Sequence, residues 1–311
     1  MSPALWPETF LNSRGLKEVP CLTASKRKRI ILSLLPLAII LCFVYGYPLA
    51  SVCISAFKGF GGSSDGQFVG LNNFMIISED IPKTVNTTLI WTFGSVLPAM
   101  VLGLVIALIC NKTFKGKKAV VAINLLPYAI PLIIVASCWR FVYNSDFGLI
   151  NVTLEKLGLI EEPISFLSFD TALLAVVVAR IWRAIPFAFM NYYSALTTIP
   201  QEQYEQASID GAGPFQRFRY ITLPNLRATT SSTIVVLTVW TFLVFDIIFG
   251  MTGGGPIDAT MTISMRIYRE MFSMKNTGTA SAWSLIAIFI LTLITILYWK
   301  LMNSKEDDYV E

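Results

Sequence analysis

Apolar residues along this chain fall into six long blocks separated by polar segments. The blocks cover roughly residues 30–57, 85–110, 119–143, 171–197, 228–250 and 279–302. Each is longer than the 4–8 residues of a buried strand, and none alternates apolar and polar positions. Each is long enough to cross a bilayer, which takes about 20 residues at ~1.5 Å per residue. The pattern predicts an all-α polytopic membrane protein with six transmembrane helices.

Composition and charge add an orientation. The chain is 54% hydrophobic and 14% charged, whereas soluble domains average about 25% charged residues. With the N-terminus inside, fifteen Lys and Arg residues fall in the inside segments and six in the outside loops. This asymmetry predicts an N-in, C-in topology. The loop 251–278 is the exception, because it places three basic residues outside.

This topology divides the chain into three parts. A cytoplasmic tail covers residues 1–29, and a six-helix membrane domain covers residues 30–302. A second cytoplasmic tail covers residues 303–311. The net charge of +4 is accounted for by lysines and arginines that flank the membrane, so no nucleic-acid partner is predicted.

The chain lacks the residues for several common kinds of catalytic, metal-binding and nucleotide-binding site. The chain has no histidine, which removes the Ser-His-Asp and Cys-His arrangements and histidine-based zinc sites. It has no GxxxxGK[ST] motif and no CxxC spacing. We therefore predict no catalytic residue and no metal site. Any energy source is expected to be a partner chain or an ion gradient.

Charged residues inside the predicted spans are few, and charge there is usually functional. Arg180 and Arg183 lie near the middle of the fourth span. Either they face a water-lined path, or they are buried with a carboxylate of another subunit. Arg140 and Asp246 lie near the outer ends of the third and fifth spans, which favours an ion pair or an interfacial position. No carboxylate falls at mid-span, which disfavours an ion-coupled carrier, although backbone carbonyls can also bind sodium.

The polar segment 198–227 separates the fourth and fifth apolar blocks. It reads as two short helices hinged at Gly211, with Pro214 starting the second and Leu223-Pro224 ending it. The predicted apolar stripe of the second helix consists of Phe215, Phe218 and Ile221. A compact helix pair of this kind is suited to transmit force, and an interfacial amphipathic helix without a partner is the alternative.

The stretch "EQASIDGA…FRYITLP" resembles the EAA loop of binding-protein-dependent ABC importer permeases. The matching positions are Glu205, Ala207, Asp210, Gly211, Ala212, Ile221, Leu223 and Pro224. Gln206 stands where that loop usually has alanine. Four further segments resemble the carbohydrate-type permeases: "LLPLAIILCFVYGYPLASVCISAF" (34–57), "FVGLNNF" (68–74), "NLLPYAIPLIIVASCWRFVYNSDFGLIN" (124–151) and "MTGGGP" (251–256). The last is typical of the maltose-permease-F-like and glycerol-phosphate-permease-A-like subunits.

The resemblance implies a function and a set of partners. It implies the type I ABC importer transmembrane fold in a bacterial or archaeal cytoplasmic membrane. A second homologous permease, two ATPase subunits and an extracytoplasmic solute-binding protein would complete the importer, and a sugar or oligosaccharide would be its substrate. ATP and Mg would be bound by the ATPases, so this chain would be no enzyme and hold no cofactor. The eight matching positions would form the ATPase-coupling site, with Glu205 meeting a basic ATPase residue and Gly211 allowing the bend.

Side chains for the substrate path are chosen by residue type and helical spacing. Arg180, Phe187 and Asn191 lie along the fourth span, and Thr241 and Phe245 lie along the fifth. Aromatic rings, amides and hydroxyls can hold a sugar, and an amide inside a span needs a partner. A phosphorylated substrate would use an arginine, which keeps glycerol phosphate open.

Two other functions compete with an importer permease. One is a stand-alone ion-coupled secondary transporter, and the other is a membrane scaffold or receptor component without transport. The absence of the nucleotide-binding GxxxxGK[ST] motif, together with the EAA loop, best separates an importer permease from these two alternatives. This combination describes a chain that receives ATP energy from a partner.

Overall fold

The structure is a computed structural model that describes residues 24–60 and 65–303. Most of the predicted tail 1–29 and all but the first residue of the tail 303–311 lie outside the described residues. The chain forms two compact units, Met1–Val52 and Cys53–Glu311. The described part of the first unit is helical. Helix α1 (Ala24–Leu41) passes through a π-helical turn, Cys42–Gly46, into α2 (Tyr47–Ser55).

The second unit is built from helices joined by turns and short loops. Its helices are α3 (Asn72–Ile77), α4 (Ile81–Asn111), α5 (Lys117–Ala129), α6 (Leu132–Val142), α7 (Leu149–Lys156), α8 (Ala172–Thr198), α9 (Gln201–Ile209), α10 (Pro214–Arg217), α11 (Leu223–Asn225), α12 (Arg227–Leu243), α13 (Asp246–Met251), α14 (Ile263–Tyr268) and α15 (Thr277–Asn303). Two further π-helical turns, Phe218–Thr222 and Arg269–Ser273, extend α10 and α14. The predicted all-α class is confirmed.

Four helical segments of the described chain are each long and apolar enough to cross a membrane. They are Leu32–Ser55, Ile81–Asn111, Ala172–Thr198 and Thr277–Lys300. Two bent pairs, α5 with α6 and Pro214–Asn225 with α12, also pass that test of length and composition. The count reaches six only if each bent pair is one span, so the number of spans and the N-in, C-in topology stay predictions.

Two of the predicted blocks are not continuous helices. The block 119–143 forms two helices, α5 and α6, which meet at an angle of 103°. Ile130 is extended there (ψ 132°), since the ring of Pro131 disfavours a helical residue before it. The block 228–250 is also interrupted, because α12 ends at Leu243 and α13 begins at Asp246.

Close packing of small residues brings the long helices together. Gly103 of α4 faces Ala188 of α8, and a Cβ atom on Gly103 would lie 2.6 Å from the Ala188 Cβ. A Cβ atom on Gly250 of α13 would likewise lie 2.6 Å from the Cβ of Ala136 in α6. Small residues at such crossings let membrane helices approach closely. The α4–α8 contact is the most extensive in the second unit, and both α5 and α12 pack on these two helices.

A buried arginine closes the 252–262 loop against the start of α4. Arg266 is 2% exposed and pairs with Asp80 at 3.0 Å and with Asp258 at 2.8 Å. Arg269 pairs with the other oxygen of Asp258 at 2.8 Å. The loop 251–278 holds three basic residues on the predicted outer side of the membrane. Two of them, Arg266 and Arg269, thus have carboxylate partners.

Candidate functional site

The segment 198–227 forms the predicted helix–glycine–helix unit. Helix α9 follows Pro200 and ends at Ile209, with Asp210 as its C-cap. Gly211 then takes a left-handed backbone (φ +79°), which glycine adopts without the cost that a Cβ atom brings. Gly213 precedes α10, and its N–H donates to Oε1 of Gln216 over 2.7 Å. The hinge that glycine spacing predicts is therefore present.

Side-chain hydrogen bonds connect the two arms of this hinge. Nη1 of Arg217 donates to Oγ of Ser208 over 2.9 Å. The hydroxyls of Tyr204 and Thr222 lie 3.0 Å apart within hydrogen-bonding distance. Nδ2 of Asn225 donates to Oε1 of Gln203 over 3.2 Å. Three side-chain hydrogen bonds thus join the two arms along the length of the unit.

The end of the second helix differs from the prediction. Leu223-Pro224 does not end it, because the π-helical turn Phe218–Thr222 carries the chain into α11, which contains both residues. The direction changes after Asn225 instead, where Pro214–Asn225 meets α12 at 62°. In the predicted apolar stripe, Phe215 is 77% exposed, whereas Phe218 and Ile221 are half-buried.

The eight matching positions differ in exposure. Glu205, Asp210, Gly211, Leu223 and Pro224 are exposed, whereas Ala207, Ala212 and Ile221 are half-buried. Two apolar side chains beside the hinge also face outward, Ile209 at 86% exposure and Phe215 at 77%. Both lie within four residues of Gly211 in the sequence.

A cavity of about 330 Å³ lies among α5, α6, α8, α12 and α13. Its lining residues are Tyr128, Leu132, Arg180, Arg183, Trp240, Leu243, Val244 and Asp246. The volume falls within the ~300–1,000 Å³ of typical ligand pockets. Both predicted mid-span arginines therefore border the same space, as the water-lined alternative requires.

Arg180 and Thr241 of the predicted substrate path are in direct contact. Nε and Nη2 of Arg180 donate to Oγ1 of Thr241 over 3.2 and 2.8 Å. The carbonyl oxygen of Thr241 accepts from Nε1 of Trp91 over 2.8 Å. All three residues are buried, so the hydroxyl of Thr241 serves first to orient the arginine.

Aromatic rings surround Arg183 and its neighbours. The Arg183 guanidinium lies over the Tyr128 ring, 4.6 Å from its centroid. The Phe187 ring contacts those of Tyr128 and Trp240, with centroids 6.5 and 4.9 Å away. Phe187 therefore contacts two lining rings of this cavity without lining it, and it lines a second cavity together with Asn191.

The other two predicted path residues lie elsewhere. Asn191 donates to the carbonyl oxygen of Phe187 over 2.8 Å and borders a second cavity of about 520 Å³. The polar residues lining that cavity are Asn191, Ser194, Thr198, Asn225, Thr229 and Ser232. Phe245 belongs to a cluster of rings with Phe249 and Tyr268, at centroid distances of 4.8 and 4.6 Å.

Comparison with known proteins now decides the family. Residues 99–302 match the model of the family "Binding-protein-dependent transport system inner membrane component". The chain belongs to this family. The trehalose/maltose transport system permease protein MalF of Thermococcus litoralis is 34% identical over 280 residues, covering 89% of this chain and 94% of the relative. The sn-glycerol-3-phosphate transport system permease protein UgpA of Agrobacterium fabrum is 32% identical over 249 residues, 79% of this chain and 84% of the relative.

Solved structures agree on the fold of this permease. A chain of a bacterial ABC transporter involved in the import of the acidic polysaccharide alginate matches with a TM-score of 0.77 and 24% identity, covering 90% of this chain and 97% of that one. The protein is a multi-pass transmembrane permease subunit of an ABC importer, and it is no enzyme. The predicted family and its fold are confirmed, and the ion-coupled carrier finds no support.

Of the eight residues that line this cavity, only Arg180 belongs to the predicted substrate path. Tyr128 lies between Pro127 and Pro131, and those prolines are the signal that a helix break places this ring beside α8. Trp240 and Asp246 are two further lining residues outside the predicted path. Asp246 and Arg140 form no ion pair with each other, and the ion pairs of the described chain all belong to Arg266 and Arg269.

Proposed function

We propose that this permease and a second homologous permease form the pathway for a sugar or oligosaccharide in a bacterial or archaeal cytoplasmic membrane. An extracytoplasmic solute-binding protein would deliver the substrate. Two ATPase subunits, which bind ATP and Mg, would drive transport through segment 198–227 on the cytoplasmic side. The curated relatives named above are permeases of solute transport systems, which supports a sugar or sugar-like substrate.

The observation that carries the coupling role is the exposed, cross-linked hinge. Glu205 and Asp210 face outward beside the apolar Ile209 and Phe215. A cleft on an ATPase subunit would bury the apolar pair and place a basic residue against Glu205. Because Arg217 and Ser208 connect the two arms, a displacement of one arm would move the other. Motion of the ATPases would thus reach α12 through the bend after Asn225.

The arginine cavity supports a substrate path between α8 and α12. Rings of Tyr128 and Trp240 and the donors of Arg180 and Arg183 line one space. Aromatic faces with a few convergent polar groups are the usual lining of small-molecule sites. We place the substrate there, with Phe187 beside it.

The test is ATP-dependent uptake by the assembled importer in proteoliposomes that enclose ATP. Uptake of at least one sugar from a panel is expected in the presence of the binding protein. Glu205→Lys reverses the charge at the proposed contact and is expected to lower uptake at least tenfold and to release the ATPase during purification.

The matched control is Glu202→Lys, the same change one turn earlier on α9 at an exposed position outside the matching residues. It is expected to retain uptake and the bound ATPase. Full uptake in Glu205→Lys, or equal losses in both variants, would refute coupling through Glu205. Gradient-driven uptake by the chain alone would instead favour an ion-coupled carrier.

A further inference from the structure

The cavity at α8 carries an excess of positive charge. Arg180 and Arg183 lie three residues apart on α8, so they leave the same side of the helix. Asp246 also lines the cavity. It forms no ion pair with either arginine, because the ion pairs of the described residues involve only Arg266 and Arg269. Two cations and one separated anion therefore border one space.

Arg180 is buried without a compensating charge. It is 5% exposed, and the side-chain acceptor that it contacts is the neutral hydroxyl of Thr241. A guanidinium has five N–H donors, and these two hydrogen bonds use only two of them. Charged side chains inside a membrane cost several kcal/mol unless they face water or a partner of opposite charge. Its position in the cavity wall leaves the remaining donors available to a ligand.

Arg183 has unused hydrogen-bonding capacity as well. Its Nε atom is buried and lacks an acceptor within the described structure. Its guanidinium carbon lies 4.6 Å from the centroid of the Tyr128 ring, and this cation–π contact restrains the guanidinium beside the cavity. A planar guanidinium in a fixed orientation matches the two oxygens of a carboxylate, sulfonate or phosphate group.

We propose that the cavity binds an acidic substrate, with Arg180 and Arg183 neutralising a carboxylate, sulfonate or phosphate group carried by the sugar. The rings of Tyr128 and Trp240 would contact its neutral part. This inference rests on the proposed function, because it specifies the substrate class of the same path. Membership of the family does not decide the point, since its named relatives include a trehalose/maltose and a glycerol-3-phosphate permease.

The experiment measures equilibrium binding to the assembled importer in detergent, without the solute-binding protein, so that only the permeases select the ligand. The probes are matched pairs: glucuronate and glucose, galacturonate and galactose, glucose 6-phosphate and glucose, sulfoquinovose and 6-deoxyglucose. At least one acidic probe is expected to bind tenfold or more tightly than its neutral partner. The pair that shows the preference identifies the anionic group.

The variants are Arg180→Gln and Arg183→Gln, which keep hydrogen-bond donors and remove the charge. Each is expected to lower the acidic-over-neutral preference at least tenfold, mainly by weakening the acidic probe. Arg140→Gln is the matched control, because Arg140 is exposed at the end of α6 and lies outside the cavity. It is expected to keep the wild-type preference.

Equal binding of acidic and neutral probes by the wild-type importer overturns the proposal without any variant. An unchanged preference in both glutamine variants, or an equal loss in Arg140→Gln, overturns it too. Failure of Arg180→Gln to assemble with the second permease, with the preference intact in Arg183→Gln, would assign Arg180 to a carboxylate of that subunit and also overturn it. Uptake of neutral sugars without acidic preference would refute this inference alone, whereas absence of any ATP-driven uptake would refute the proposed function.

Discussion

Nη2 of Arg266 donates to Oδ2 of Asp258 over 2.8 Å and ties α14 to the 252–262 loop. Asp258 has a left-handed backbone (φ 60°), as does Ile257 before it (φ 45°). Such conformations cost free energy in residues that carry a Cβ atom, so surrounding contacts must hold them. Lys83 provides one further contact of this kind, because its Nζ donates to the carbonyl oxygen of Ile257 over 3.2 Å.

Asp258→Asn tests how far this ion pair holds the loop. Asparagine tolerates a left-handed backbone, so the change removes charge with little backbone effect. Arg266 keeps Asp80 as a partner, and we expect a loss of about 1–3 kcal/mol in the free energy of unfolding. Thermal unfolding of the purified protein in detergent measures this as a lower Tm.

Asp80→Asn is the matched control for the loop. The Asp80 side chain is 51% exposed, against 30% for Asp258, and contacts one arginine instead of two. Its loss of Tm is expected to be smaller. The reverse order of the two variants would contradict the assignment of Asp258 as the central acceptor.

Packing of α4 against α8 gives a second prediction. Gly103→Ala places a Cβ atom 2.6 Å from Ala188 Cβ and 2.8 Å from the Phe189 backbone nitrogen. Backbone atoms cannot yield as a flexible side chain can, so the helices must separate, at a cost of about 1–3 kcal/mol. A clear drop in the Tm of the purified protein is the expected result.

Gly94→Ala is the control on the same helix. Its Cβ atom would meet the Val177 side chain at 3.7 Å, an ordinary contact. Because alanine also favours the helix over glycine, Gly94→Ala is expected to leave the Tm unchanged or to raise it. Equal losses in the two variants would show that Gly103 has no special role in the crossing.

The sequence predicts long helices better than it predicts where they bend. Residues 171–197 form one helix, α8, almost as drawn from the apolar pattern. The break at Ile130 is encoded locally by Pro131, but an average over apolar residues cannot distinguish a bent pair from a straight span. The break after Leu243 has neither glycine nor proline, so packing around α13 must set it.

The same limit applies to the candidate sites. The hinge at Gly211 follows from local sequence because a left-handed residue after a helix is a backbone property. The contact between Arg180 and Thr241 joins residues 61 positions apart. It depends on the register of α8 against α12, which no spacing within one helix specifies. Residue type therefore identified both residues as candidates, but not their contact.

Thr241 provides a third prediction. Thr241→Val removes the oxygen that accepts from Arg180 and keeps the shape of the side chain, leaving the arginine without this acceptor. A buried donor left unsatisfied costs about 1–3 kcal/mol, so we expect a lower Tm and weaker substrate binding by the assembled importer. The Trp91 hydrogen bond is to the backbone of Thr241 and remains.

Thr241→Ser is the control, because it keeps the hydroxyl and removes only a methyl group. It is expected to retain most substrate binding. If Thr241→Ser and Thr241→Val lose binding equally, then packing of the methyl group, and not orientation of Arg180, is what Thr241 supplies.

The coupling hinge gives the last prediction. Gly211 has φ +79° and open space around it, so Gly211→Ala meets no neighbouring atom and its cost is backbone strain, about 1–2 kcal/mol. Gly213, two residues later, has φ −69° and ψ 169°, which alanine adopts readily. We expect Gly211→Ala to reduce ATP-driven uptake by the assembled importer severalfold while the complex still forms, and Gly213→Ala to transport normally. Because both changes add one methyl group to the same loop, equal uptake by the two variants would show that the left-handed turn has no part in coupling.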